Sequence, residues 1–110
     1  MTPDRLPPYS EEAERGVLGC ILWSPQDSLS ICAMRLEPES FYDLRHQTIY
    51  TATQTMAGGG LAVDLVTLQQ CLKDNQMLDR VGGISYLSEV MDATPSAANL
   101  DYYLDIVVEK

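Results

Sequence analysis

The sequence predicts an all-α fold, a six-helix orthogonal bundle, and three observations support that prediction. Apolar residues recur at helical spacing in six segments of the 110-residue chain. Short stretches with Gly, Pro or capping residues separate these segments. No segment alternates apolar and polar residues with a hairpin turn beside it, as paired strands would. A chain of this length has room for one small core and for short connections between neighbouring helices.

The first helix follows an extended arm. Residues 1–9 contain three prolines and are predicted to form this arm, so the helical domain is assigned to residues 10–110. Ser10 is the predicted N-cap of helix 1, which has glutamates in its first turn and runs to about Trp23. Gly16 and Gly19 inside this helix each cost about 1 kcal/mol relative to Ala. They favour close packing of another backbone on that face; the alternative is that the helix simply tolerates them.

Helices 2 and 3 have clear boundary signals. Ser24 is a predicted N-cap with Pro25 at the first helical position, and helix 2 continues to about Leu36. Helix 3 spans roughly residues 45–57. The three glycines at 58–60 end it, because glycine readily adopts the conformations that terminate helices.

Helices 4 and 5 are bounded by one acidic cap and a pair of glycines. Asp64 is the predicted N-cap of helix 4, and Asn75 ends it, since Asn tolerates the left-handed conformation. The glycines at 82–83 open helix 5. One side of helix 5 is predicted to carry its apolar stripe, which consists of Ile84, Leu87 and Met91.

Helix 6 has the most regular apolar pattern in the chain. Ser96 is its predicted N-cap, and the core stripe is Leu100, Tyr103, Leu104 and Val107. A second apolar shoulder consists of Tyr102, Ile106 and Val108. The helix has no stop signal before Lys110, so we expect the natural polypeptide to continue, and the continuation or a partner to cover the shoulder. The alternative is a frayed, partly apolar last turn.

Charge indicates the class of partner. Sixteen Asp and Glu against seven Lys and Arg give a formal net charge of −9. Nucleic-acid binding depends on cationic side chains that displace counterions from phosphates, so the sequence favours a protein partner with a basic or apolar face. A DNA-binding helical module stays as an alternative function of another class. No apolar run is long enough to span a membrane.

The residues offer little for catalysis or for metal binding. The three cysteines have no metal-ligand spacing, and Cys20 and Cys71 are interpreted as small core residues of a protein in the reducing cytoplasm. His46 is the only histidine and is interpreted as structural. Phosphate-loop, serine-hydrolase, zinc-protease and EF-hand motifs are all lacking. We therefore predict no catalytic, cofactor-binding or metal residue in this chain, and a small helical hydrolase is the least supported class.

Six ordered motifs resemble the N-terminal domain of DnaB-type replicative helicases. The opening segment is similar to that family's PPxSxEAExxVLG, and the later segments match in order and spacing over nearly the whole chain. The segments are LPPYSEEAERGVLG at 6–19, FY with His46 and IY at 41–50, VDLVTL at 63–68, VGGISYL at 81–87, TPSAAN at 94–99 and DIV at 105–107. One departure is Gln76, where the family often has Gly; we expect Asn75 to end helix 4 in its place.

The resemblance implies that this chain is the globular head of the helicase collar. The family forms hexameric rings that unwind DNA at the replication fork with ATP, and their N-terminal domains, a trimer of dimers, dock the C-terminal domain of primase. The expected partners are therefore other copies of the chain and primase, with a helicase loader as a further candidate. The family's helical hairpin and its ATPase domain, which would bind ATP and Mg, are missing from this sequence. The alternative within the same class is the helicase-binding domain of primase, whose helical subdomain resembles this head.

Five residues are candidate partner contacts because the pattern predicts that they lie outside the core. Glu12 lies in the first turn of helix 1, and Asp79 in a polar turn. Tyr86 lies off the predicted stripe of helix 5, between two serines. The second shoulder of helix 6 contributes the remaining two candidates, Tyr102 and Ile106. An ordinary surface or packing role is the alternative for each.

Overall fold

The computed structural model describes residues 10–108, which form an all-helical bundle without a strand in that range. The predicted arm at residues 1–9 lies outside the described residues. The α-helices in the described range are α1 (Glu11–Trp23), α2 (Pro25–Arg35), α3 (Leu44–Gly58), α4 (Leu65–Asp74), α5 (Gly83–Ala93) and α6 (Leu100–Val108). Two single turns of 3₁₀ helix lie at Pro38–Ser40 and Asp79–Val81. The predicted all-α fold with six helices is confirmed.

Side-chain caps begin three of the helices. The Ser10 hydroxyl accepts the Ala13 N–H at 3.1 Å, as predicted for α1. At α4 the Asp64 carboxylate accepts the Thr67 N–H at 2.8 Å, and the Thr67 hydroxyl accepts the Asp64 N–H at 2.9 Å. This reciprocal capping box confirms the predicted cap and satisfies two N–H groups that have no partner within the helix. Asp43, which the sequence did not single out, caps α3 through the Arg45 N–H at 2.9 Å.

Helix α1 is the central element, and the other helices pack around it. It contacts α5 and α6 extensively, and α2 and α3 as well, so most of its residues from Ala13 to Leu22 are buried. A Cβ added to Gly16 would lie 2.7 Å from ring carbons of Tyr103 in α6. A Cβ added to Gly19 would meet the carbonyl oxygen of Val90 at 3.0 Å and the Thr94 side chain more closely still. The predicted close packing of another backbone is confirmed at Gly19, whereas the close neighbour of Gly16 is an aromatic side chain.

The predicted end of α4 at Asn75 is confirmed, but the left-handed conformation predicted for that residue is wrong. Asn75 has φ −98°, and the left-handed residue is Gln76, with φ 60°. The Asn75 amide instead donates to the Cys71 carbonyl at 2.8 Å. The Cys71 carbonyl thus accepts both Asn75 donors, since the Asn75 N–H also donates to it at 3.2 Å. The turn to positive φ falls one residue later, at Gln76.

The predicted cap of α6 is also wrong. The helix begins at Leu100, and Ser96 lies in the turn before it, where its hydroxyl accepts the Ala98 N–H at 3.2 Å. The Ser96 carbonyl meanwhile accepts the Cys20 thiol of α1 at 3.7 Å. A short serine side chain that bonds two residues ahead stabilises a turn and competes with helix formation.

The apolar stripe predicted for α5 is shifted around the helix. Ile84 is exposed and Met91 is half-buried, whereas the buried residues are Tyr86, Leu87 and Val90. The prediction failed because the sequence spacing of Ile84 and Leu87 is as helical as that of the residues that are actually buried. Packing against α1 selects the face that includes Val90, whose carbonyl oxygen approaches Gly19.

The cysteines are free thiols, and two of them are core residues. Burial raises the pKa of Cys20 to about 11 and that of Cys32 to about 12, so both stay protonated and unreactive at neutral pH. Cys71 is half-buried and packs against the core, close to its predicted role. Between residues 10 and 108 no helix combines the length and the hydrophobicity that crossing a lipid bilayer requires.

Gly16→Ala is predicted to destabilise the fold by about 1–3 kcal/mol, because its methyl group would overlap the Tyr103 ring. Gly58→Ala is the matched control: a Cβ there meets nothing within 4 Å, so the helical preference of Ala should stabilise the domain by up to about 1 kcal/mol. Urea unfolding of both variants measures the difference. Equal effects at the two positions would show that Gly16 is merely tolerated.

Candidate partner-binding surface

A buried carboxylate connects α1 to the start of α3. Glu14 is 1% exposed, and its Oε2 accepts the Tyr42 N–H at 2.6 Å. Its Oε1 accepts the Asp43 N–H at 3.3 Å. These two N–H groups lie at the start of α3, where the helix dipole favours negative charge. The Glu14 carboxylate of α1 therefore acts as a second cap for α3.

His46 extends this connection to α5. Its ring is fully buried, with Nδ1 2.7 Å from Glu14 Oε1 and Nε2 2.6 Å from the Tyr86 hydroxyl oxygen. The carboxylate can only accept, so Nδ1 carries the proton that is donated to it. In the neutral tautomer, Nε2 then accepts the Tyr86 O–H. We call Glu14, His46 and Tyr86 the buried triad; it joins α1, α3 and α5, and His46 has the structural role that the sequence predicts.

Arg45 covers the outer side of the buried triad. Its guanidinium carbon lies 4.2 Å from the centroid of the Tyr86 ring, a cation–π geometry. The same group pairs with Asp43 at 2.7 Å and with Glu11 at 3.2 Å. The hydrogen bonds from Arg45 hold the pKa of Asp43 below its ordinary value, whereas burial raises the pKa of Tyr86.

Tyr86 is therefore not an exposed contact. Only 9% of its surface is accessible, and its hydroxyl is committed to His46. The prediction that Tyr86 lies off the core is wrong. The two nearby serines suggested that Tyr86 lies on a polar face, but Tyr86 itself points into the core. A sequence signal existed: Tyr86 precedes the buried Val90 by four residues, and Glu14 precedes the buried Leu18 by four, so both lie on core-facing stripes.

The second shoulder of α6 is only partly exposed. Tyr102 is 65% exposed and Val108 is 40% exposed, whereas Ile106 is half-buried against the core. Ile106 is a weaker contact candidate than predicted, since it lies three residues after the packed Tyr103 and so at the edge of the packed face. The other two candidates, Glu12 and Asp79, are exposed.

Tyr102 lies beside the contact between α6 and α1. Tyr103 packs on Gly16, and its ring centroid lies 5.8 Å from that of Tyr102. Glu12 lies one helical turn before Gly16 on α1. Asp79 lies on another element, the 3₁₀ turn that packs against α3 and α5.

The exposed residues around Tyr102 form what we call the α6 surface. Asp101 and Asp105 precede and follow it along the helix and are both exposed. Arg35 of α2 pairs with Asp105 at 2.7 Å, but 70% of the Asp105 side chain remains accessible. An exposed aromatic ring and two exposed carboxylates on the same helix fit a partner with apolar and cationic side chains. The described residues hold no cluster of His, Cys, Asp or Glu suited to a metal ion.

A model of the family described as "DnaB-like helicase N terminal domain" matches residues 6–109, which is nearly the whole chain. The chain belongs to this DnaB-like N-terminal domain family. The match agrees with the resemblance predicted from the ordered motifs.

Relatives in the family are replicative helicases. The chain is 45% identical over 107 residues to the replicative DNA helicase DnaC of Bacillus subtilis. This match covers 97% of this chain and 23% of that protein. It is 46% identical, with the same coverage, to the replicative DNA helicase DnaB of Geobacillus stearothermophilus. The chain thus spans about a quarter of the length of these curated relatives.

A solved structure shows the same fold. The crystal structure of the N-terminal domain of DnaB helicase from Mycobacterium tuberculosis superposes with a TM-score of 0.89 at 38% identity. The superposition covers 94% of this chain and 72% of that one. The bundle described above is therefore the fold of the DnaB N-terminal domain.

Tyr86→Phe is predicted to destabilise the domain by about 1–2 kcal/mol, because it leaves His46 Nε2 buried without its hydrogen-bond partner. Tyr102→Phe removes the same atom from an exposed ring and should change the free energy of unfolding by less than about 0.5 kcal/mol. Chemical denaturation monitored by circular dichroism compares the two. A Tyr86→Phe variant as stable as the parent domain would remove Tyr86 from the buried triad.

Proposed function

We propose that this chain is the oligomerisation and primase-docking module of a hexameric replicative DNA helicase. In this proposal the parent polypeptide carries an ATPase domain that uses ATP and Mg to unwind duplex DNA at the replication fork in the cytoplasm. The module itself catalyses nothing; it binds other copies of the helicase and the C-terminal domain of primase. A helicase loader is a further candidate partner. The observation that carries the proposal is the exposed Tyr102, together with the two exposed carboxylates of the α6 surface.

The charge distribution supports a protein partner over DNA. Three of the basic residues, Arg15, Arg35 and Arg45, form ion pairs with acids of the same chain. They are thus partly neutralised before any ligand arrives, and the net charge is −9. Phosphates would meet a repulsive field, whereas a basic protein face would be attracted to it.

Tyr102 has the character of an interface anchor. Aromatic side chains contribute much of the binding energy in protein interfaces, since they bury a large area and lose little conformational entropy. With 65% of its surface accessible, Tyr102 has most of that area still to bury. The flanking carboxylates, Asp101 and Asp105, would then steer and orient a cationic partner.

A helicase domain is favoured over the helicase-binding domain of primase. The family that matches is that of the helicase, and the relatives are named as replicative DNA helicases. The proposed partner is therefore the primase, and this chain is the helicase side of the contact.

The test is calorimetric titration of this chain with the C-terminal domain of primase from the same organism. Tyr102→Ala is expected to weaken binding about tenfold or more, because it removes the anchor. Met34→Ala is the matched control: Met34 is 85% exposed on α2, and its truncation should change affinity less than about twofold.

The two variants should unfold at the same urea concentration as the parent chain, so a loss of affinity reports on contact. Unchanged primase binding by Tyr102→Ala would contradict the assigned surface, and failure of the unmodified chain to bind would contradict primase docking. Sedimentation of the full-length helicase with Tyr102→Ala tests whether the same residue also serves ring assembly.

A further inference from the structure

An exposed groove lies between the α1–α2 corner and the loop that follows α3. It has a volume of about 1060 Å³, and its two walls are the segments at residues 23–30 and 57–63. None of the residues of the α6 surface lines it. Whatever binds there would leave Tyr102 and its carboxylates accessible, so the groove is a separate candidate site.

Trp23 forms a fixed aromatic part of the first wall. Its indole N–H donates to the Thr94 carbonyl and also to the Met91 carbonyl at 3.2 Å. Both acceptors lie at the end of α5: Thr94 is the C-cap residue, and the Met91 carbonyl also accepts the Thr94 N–H at 3.2 Å. The ring is therefore held in one orientation while 47% of its surface remains accessible. An aromatic group ordered before binding loses little entropy when a ligand covers it.

The opposite wall presents an apolar side chain on an equally ordered turn. The Leu61 N–H donates to the Met56 carbonyl at 2.9 Å, which closes the turn that ends α3. Gly60 makes this turn possible, because its φ of +80° is a conformation that other residues rarely adopt. The Leu61 side chain is 62% exposed, and the buried Val63 and Leu29 lie beside it in the lining.

The charge of the groove selects the chemistry of its occupant. Asp27 is exposed and lines the groove, and none of the other lining residues carries a positive charge. A carboxylate and an accessible indole face in one groove both attract a cation, the first by charge and the second through its ring quadrupole. The apolar wall adds affinity for aliphatic side chains.

We propose that this groove docks a segment of a partner protein in which Arg or Lys adjoins apolar side chains. The cationic group lies against Trp23 and Asp27, and the apolar side chains cover Leu61. The site is independent of the α6 surface, so it can hold a second partner, or a second segment of one partner, while that surface is occupied. A nucleic acid is disfavoured because Asp27 would face its phosphates.

The test uses the fluorescence of Trp23, which is the only tryptophan in the chain. The probe is an amphipathic nine-residue peptide, acetyl-ALRKLLRAL-amide, and the comparison peptide has Glu at each basic position. The basic peptide is expected to shift and quench the emission saturably, with weaker binding at high salt. The acidic peptide is expected to leave the emission unchanged.

Three variants separate the groove from the general charge of the domain. Asp27→Asn and Leu61→Ser should each weaken binding of the basic peptide about fivefold, because one removes the charge partner and the other the apolar wall. Glu89→Gln removes one exposed charge from α5, outside the groove, and should change affinity less than about twofold. Unfolding curves of the three variants confirm that each remains folded.

Several outcomes would overturn the assignment. An equal loss for Asp27→Asn and Glu89→Gln would mean that the peptide senses only the net charge. No change in emission with the basic peptide, or a similar change with the acidic one, would exclude a cation-selective groove at Trp23. Emission that depends on the concentration of the protein alone would identify a second copy of the chain as the occupant. Primase binding by the α6 surface is measured separately, so the two proposals can fail independently.

Discussion

The carboxylate of Glu14 is the group on which the arrangement of the helices depends most. It is a potential full charge placed in the core, and it is acceptable there because each oxygen has donors: backbone N–H groups at the start of α3 and the ring of His46. Leaving a buried charged group without one of its hydrogen-bond donors costs about 1–3 kcal/mol or more, a large part of the stability of a small domain. Glu14 needs all of these donors at the same time, and this fixes the position of α3 relative to α1. Tyr86 connects α5 to the same network through His46.

The positions of surface groups follow from this constraint. Because α3 begins where Glu14 caps it, Arg45 lies over Tyr86 and pairs with Glu11, which leaves less positive charge free on that side. On the next faces of α1, Gly16 admits the ring of Tyr103 and so brings α6 against the central helix. Tyr102 is then directed outward beside that ring. Core polar contacts and small residues in α1 thus determine which side chains are available to partners.

The sequence predicted those features of the fold that depend on residues near one another in the chain. The helices, the caps at Ser10 and Asp64 and the stop at Gly58 follow from spacing and backbone preferences within a few residues. The burial of Glu14 was harder to predict, because Glu11, Glu12 and Glu14 all suit the first turn of a helix. Only the helical stripe that Glu14 shares with Leu18 distinguishes it from the other two. Tyr86 and Ser96 were misplaced for a related reason: partners from α3 and α1, far away in sequence, decide their roles. The family resemblance was predictable because it depends on ordered motifs and needs no tertiary contact.

The buried triad can be tested by a double-mutant cycle on the free energy of unfolding. Glu14→Gln and His46→Phe keep similar volumes while each removes one side of the contact, and urea denaturation of the parent domain, both single variants and the double variant gives the coupling. We expect each single change to cost several-fold more than Glu12→Gln in the same turn, and a coupling energy of about 2 kcal/mol or more. Effects of the two changes that add to within about 0.5 kcal/mol would contradict the account, because they would show that Glu14 and His46 stabilise the fold independently.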